Sequence, residues 1–179
     1  LEYLEWCEDL GVEPVLGVYA GYSLNGTFVN PGPDLEPYVQ DVLDEIEYVV
    51  GGTDTVWGAR RAADGHPEPF PLEYVEIGNE DFFDGSGSYD GRFTQFYDAI
   101  KAAYSDLKLI ATTAVTSRTP DVIDEHFYAT PRSFQRMANR YDSYDRSGPK
   151  IFVGEYASIE GRPTPNLHAA LGDAAWLTG

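Results

Sequence analysis

The sequence predicts an α/β fold, and within that class a (β/α)8 barrel that is incomplete in this chain. Three observations lead there. Strand and helix patterns alternate from end to end. The strand patterns are near-continuous apolar runs, as parallel strands buried on both faces require. Polar residues stand at the ends of several strands, where an α/β barrel gathers its reactive groups, and no G-x-G-x-x-G or P-loop follows any strand as an open nucleotide-binding sheet would demand.

Leu1 to Leu10 carries apolar residues at 1, 4, 7 and 10 with acids between them, which is helical spacing, and Gly11 ends it. Glu13 to Ala20 reads as a buried strand, followed by a loop rich in Gly, Asn and Pro up to Pro33. Asp34 is placed to cap a helix that runs to Val50, with Leu35, Val39, Val42, Leu43 and Ile46 on one face. Gly51-Gly52 stops it, and residues 51–71 read as a long connection. A strand over 72–78 leads to a glutamate, and 91–105 is helical with Phe93, Phe96, Tyr97 and Ile100 on one face. Lys108 to Ala114 and Val122 to Tyr128 are strands joined by an unusually short crossover. Pro131 opens a helix to about Tyr144, Ile151 to Gly154 is the last clear strand, and Leu167 to Leu177 the last helical pattern. Five strands are visible, whereas a closed eight-stranded barrel takes about 250 residues, so elements are missing at both ends.

Composition narrows the function classes. The 179 residues are 42% hydrophobic and 14% aromatic, enough for one globular domain with a core. A net charge of −18 repels nucleic acid and anionic membranes and tolerates neutral substrates such as polysaccharides. Thirteen tyrosines and three tryptophans supply rings for half-buried packing and for stacking on sugar faces. The single cysteine, Cys7, excludes an internal disulfide and a cysteine-rich zinc site, and His66, His126 and His168 share no ligand spacing, so no metal is expected. No run approaches a transmembrane span. Leu1 opens inside a helical pattern without an initiator Met or leader, so the chain reads as a piece of a longer protein, and Asn25-Gly26-Thr27 is a glycosylation sequon that favours secretion.

Two segments carry the chemistry. Tyr74-Val75-Glu76-Ile77-Gly78-Asn79-Glu80-Asp81 and Lys150-Ile151-Phe152-Val153-Gly154-Glu155-Tyr156-Ala157 are apolar runs that each end in a glycine closely followed by a glutamate. Paired carboxylates at strand ends suit glycoside hydrolysis, in which one acid protonates the leaving oxygen and, in the retaining form, a second attacks the anomeric carbon from about 5–5.5 Å away. Asn79 offers an amide for a sugar hydroxyl. His126 and Tyr128 alternate with Phe127 at the end of their strand, so both can face one side and meet a carboxylate. Asp124 and Glu125 read as strand-edge or loop charge rather than as a second acid pair.

At these residues the chain resembles the α-L-arabinofuranosidases of glycoside hydrolase family 51, on the fungal and plant side. The resemblance rests on Trp57-Gly58-Ala59-Arg60-Arg61-Ala62, on Gly65-His66-Pro67-Glu68-Pro69-Phe70, and on the run into Asn79-Glu80-Asp81. Asp121 to Tyr128 and Val153-Gly154-Glu155-Tyr156-Ala157 add to it. It covers nearly the whole chain. It implies that residues 1–179 are a partial catalytic barrel, about strands 3 to 7, without the first two strands, the last strand and an accessory β-sandwich. It implies Glu80 as acid/base and Glu155 as nucleophile. Asn79 would hold the sugar 2-hydroxyl, Tyr128 would orient the nucleophile or touch the arabinose, and His126 would line the site. The implied partner is an arabinose-containing polysaccharide or oligosaccharide, with no cofactor, an extracellular location, and self-association left open. An open barrel exposes strand edges, so the segment by itself is expected to be poorly soluble or inactive. Two rivals remain: another barrel hydrolase of the same clan, such as an endo-glucanase or β-xylanase, and a non-catalytic carbohydrate-binding barrel fragment.

Overall fold

A computed structural model describes residues 1–159 together with Leu171 and Ala174, both helical. The helix expected over 167–177 and His168 otherwise lie outside the described residues. The chain divides into two compact units, residues 1–123 and a second that begins at Asp124. Among the described residues no helix is long and apolar enough to cross a membrane.

In the first unit α1 (Glu2–Leu10) leads to β1 (Val15–Val18), then α2 (Glu36–Val50), α3 (Val56–Ala63), β2 (Tyr74–Ile77), α4 (Tyr89–Ala103) and β3 (Lys108–Ala111). The strands are parallel and in sequence order, with Val15 opposite Tyr74 and Tyr74 opposite Lys108. The first residues of β4 (Val122–Ala129) continue the ladder, Val122 beside Ile110 and Ile123 beside Ala111. The core forms where Val75, Ile77, Leu109 and Ala111 meet Phe93, Phe96 and Ile100 of α4 and Val39, Val42 and Ile46 of α2. Each of the Val, Leu, Ile and Phe side chains contributes roughly 1.5–3 kcal/mol on burial, and Ala111 less. Gly11 closes α1 at φ 65, a left-handed conformation that glycine adopts without strain.

Two expectations need correction here. The cap of α2 is Leu35, not Asp34, and no side chain caps the helix. Leu35 is fully buried in the core, so packing sets where the chain enters the helix. Residues 51–71 are not a bare connection, because they contain α3. Its eight residues show no long apolar stripe. Its start is fixed by the Thr55 hydroxyl, which accepts the Gly58 N–H at 3.1 Å. Arg61 then gathers the segment. Its fully buried guanidinium donates to the carbonyls of Tyr48, Val49, Gly51, His66 and Pro67 at 2.7–3.2 Å. Gly58 has no room for a side chain, since a Cβ there would stand 2.0 Å from the Gly52 carbonyl.

The second unit holds the rest of β4, α5 (Pro131–Arg136) and β5 (Lys150–Ser158), which is hydrogen-bonded beside β4. α5 is capped by Thr130 and stops well short of Tyr144. Beyond it Arg140, Asp142 and Tyr144 bond three residues back, as tight turns do. Asn139, Asp142 and Ser143 compete with helical bonding at this point. β5 runs four residues past its expected end at Gly154, so Glu155 lies within the strand and not beyond it.

Candidate active site

In the first unit β2 ends at Ile77 and the chain turns sharply through Gly78, Asn79 and Glu80 into a 3-10 turn over Asp81–Phe83. Gly78 sits at φ 100 and Glu80 at φ 52, the one positive-φ residue other than glycine among the described residues. A left-handed glutamate is strained, and such strain persists where surrounding contacts over-determine it. Those contacts come from Asp81. Its carboxylate accepts the Asn79 N–H at 3.0 Å, the Thr112 hydroxyl at 2.8 Å and an Arg92 N–H at 2.8 Å. Arg92 also donates to Asp84, to Ser88 and to the Ala20 carbonyl. The Tyr89 hydroxyl donates to the Ile77 carbonyl and accepts the Thr112 N–H.

Electrostatics follow from this packing. Burial pushes the Asp81 carboxyl above its ordinary value, against the lowering pull of Thr112, Arg92 and Asn79. Burial also raises the Tyr89 phenol, which keeps it a neutral donor. Burial acts in the same upward sense on Asp84, but hydrogen bonds from Ser86, Arg92 and Ser88 prevail and bring it down to about 2. Beside the turn is a cleft of about 310 Å³, lined by Tyr19, Tyr22, Glu76, Gly78 and Asn79 among others, at the C-terminal ends of β1 and β2. A larger cleft of about 470 Å³ between α1, α2 and α3 is mostly apolar.

In the second unit three sequence-selected residues come together. The Tyr128 hydroxyl donates to Glu155 Oε2 at 2.5 Å, and His126 Nδ1 stands 3.7 Å from the same oxygen, too far for a hydrogen bond. Period-two alternation along β4 puts both side chains on one side, as expected. Asp124 is the correction. It is buried, not a strand-edge charge, and its two oxygens contact His126 Nε2 at 2.6 Å and the Gly154 N–H at 2.7 Å. Gly154 is a glycine for that reason, since a Cβ would meet Asp124 Oδ1 at 2.6 Å. Glu125 instead pairs with Arg140 at 3.0 Å and accepts from the Tyr141 hydroxyl. His66 packs on Phe70 and contacts Glu8, within the first unit's fold.

Sequence reasoning passed over Asp81, Arg92 and Thr112, and read the buried Asp124 as strand-edge or loop charge. The signal that could have found two of them is the glycine before each glutamate, which marks a close approach to the backbone.

Comparison with known proteins gives the family and the fold to which the chain is similar. The family described as Alpha-L-arabinofuranosidase 1 domain matches residues 1–146. Alpha-L-arabinofuranosidase A of Aspergillus kawachii is 46% identical over 187 aligned residues, which cover 99% of this chain and 30% of that protein. Alpha-L-arabinofuranosidase 2 of Arabidopsis thaliana is 39% identical, covering 99% of this chain and 27% of its own length. A solved structure of an arabinose-bound GH51 α-L-arabinofuranosidase superposes with a TM-score of 0.88 at 40% identity, over 99% of this chain and 31% of the other. The chain therefore spans about 30% of the length of these relatives. Its strands and helices are part of a GH51 (β/α)8 barrel.

Proposed function

Since the chain belongs to the Alpha-L-arabinofuranosidase 1 domain family, we propose that the complete protein is a secreted, retaining glycoside hydrolase. It releases terminal α-L-arabinofuranosyl residues from arabinoxylan, arabinan or related oligosaccharides. The family match to residues 1–146 carries this reading. Glu155 lies beyond that match, in the part that the curated relatives still cover. Its support is local: a carboxylate held by a phenol at 2.5 Å, on a strand braced by a buried aspartate.

Glu155 attacks the anomeric carbon and expels the leaving sugar, whose oxygen takes a proton from Glu80. Water then enters, with Glu80 as base, and returns Glu155 to its carboxylate. Retention requires the two carboxyls about 5–5.5 Å apart in the complete enzyme. Asn79, next to Glu80 and exposed beside the cleft, holds the sugar 2-hydroxyl. Tyr128 orients the nucleophile, and His126 lines the site.

The test is release of free L-arabinose from an aryl α-L-arabinofuranoside and from arabinoxylan by the complete protein, beside Glu155→Ala, with the first-formed anomer read by NMR. Free arabinose of retained configuration, lost in the variant, is the expected result. Oligosaccharide products, or binding without release, would replace this reading by an endo-acting or a non-catalytic one.

A further inference from the structure

We propose that Asp81, Arg92 and Thr112 are positioning residues, which hold the Gly78-Asn79-Glu80 turn in the conformation that aims the acid/base. The proposal rests on the function proposed above and deepens it.

The turn does not hold itself. Glu80 is left-handed, and the Asn79 N–H points inward to Asp81 rather than to a strand neighbour. The Asp81 side chain is 1% exposed and that of Arg92 0%, so neither can touch a sugar. Whatever they do for chemistry passes through the backbone they hold. Their bonds link the loop after β1 through the Ala20 carbonyl, the end of β2 through Asn79, the first residue after β3 through Thr112, and the start of α4 through Ser88. Four elements of the sheet unit thus converge on the Asp81–Arg92 ion pair beneath the turn. Gly78 is part of the same device, because a Cβ there would stand 2.0 Å from Asp81 Oδ2.

This arrangement suits a residue that must act first as acid and then as base on the same oxygen position. Misplacing a catalytic group by about 1 Å costs about 100-fold in rate. A general acid matters in proportion to the basicity of the leaving group, so its displacement has a signature that general loss of folding lacks.

The experiment uses Thr112→Val, Thr112→Ser and Asp81→Asn in the complete protein. Wild-type release of arabinose is measured first, and its absence would count against the proposed function alone. In Thr112→Val, kcat/KM for an alkyl or disaccharide arabinofuranoside should fall about 10-fold or more, while an activated aryl arabinofuranoside loses less than about 3-fold. The basic limb of the pH profile should move as well. Thr112→Ser, which restores the hydroxyl, should recover both, and Asp81→Asn should show the same asymmetry more strongly. Equal loss on both substrates with unmoved pH limbs would overturn the proposal and leave a purely structural network. Hydrogen exchange of the wild type adds a readout that needs neither activity nor a folded variant. The Asn79 amide should be protected well beyond exposed loop amides, and rapid exchange there would also overturn the proposal.

Discussion

Removing one hydroxyl from Tyr128 separates the two halves of the proposed reaction. Tyr128→Phe keeps the ring and deletes the donor that stands 2.5 Å from Glu155 Oε2. A hydrogen bond to a charged group contributes about 1.5–3 kcal/mol, and Tyr128 is 53% exposed, so the lower end, about 1.5 kcal/mol, applies. The sign depends on the step. In the first step Glu155 gives up negative charge as it bonds to the sugar, so the phenol stabilises the starting carboxylate more than the transition state. In the second step the charge returns to Glu155, and the phenol stabilises the transition state relative to the neutral ester. Losing about 1.5 kcal/mol there slows hydrolysis of the intermediate about tenfold.

The assay is steady-state and pre-steady-state kinetics on an aryl arabinofuranoside with a good leaving group. In Tyr128→Phe, kcat should fall about tenfold and KM should fall with it as the glycosyl-enzyme accumulates, while kcat/KM changes less than about threefold. A burst of phenol should become visible. If kcat/KM falls tenfold with KM unchanged and no burst, the hydroxyl acts on the first transition state rather than the second, and this account of its action on Glu155 fails.

Three further perturbations test other parts of the structure. Glu80→Gln should cripple glycosides with poor leaving groups by about 100-fold or more and activated aryl ones far less, and equal loss on both would count against the acid role. Arg61→Met should lower stability by about 3 kcal/mol or more, read as a shift in urea midpoint, because it strips the donors from five backbone carbonyls at once; a change under about 1 kcal/mol would contradict that account. Hydrogen bonds from the hydroxyl and amide of Ser117 and the amide of Thr116 hold Asp90 down to about 2. Its unfolded value is near 3.9, so its contribution is complete above that pH and drains away as pH falls toward about 2. Asp90→Asn should therefore flatten the acid-side fall in urea midpoint over that window, and an unchanged slope would refute the linkage.

The sheet was legible in the sequence because each strand is a local signal. Val75, Ile77, Leu109 and Ile110 are buried on near-continuous apolar patterns that need no knowledge of their partners. The pairing of His126 and Tyr128 on one side followed from alternation alone. α3 was hidden because its stability comes from Thr55 and from Arg61, whose acceptors lie 5 to 13 residues away and leave no periodic trace. The same holds for the braces of the site. Asp81 meets Thr112 across 31 positions, and Asp124 meets Gly154 across 30. A buried aspartate in a strand or turn looks like an exposed one until its partners are placed.

The two glycine-marked glutamates share a construction that explains why both segments stand out. Before Glu80 the chain carries Gly78, and before Glu155 it carries Gly154. At each, a Cβ would collide with an aspartate carboxylate: Asp81 at 2.0 Å and Asp124 at 2.6 Å. Each aspartate takes a backbone N–H next to its glutamate, that of Asn79 in one case and of Gly154 in the other. Each is buried and ties a further polar side chain, Arg92 for Asp81 and His126 for Asp124. The turn and the strand reach this state by different backbone routes, one left-handed and strained, the other extended. The common element is the need to fix a carboxylic acid side chain that is itself partly open to solvent. A buried acceptor under the adjacent amide does so while leaving the glutamate side chain uncovered, as the proposed contact with substrate requires, and glycine is what lets the acceptor come close enough.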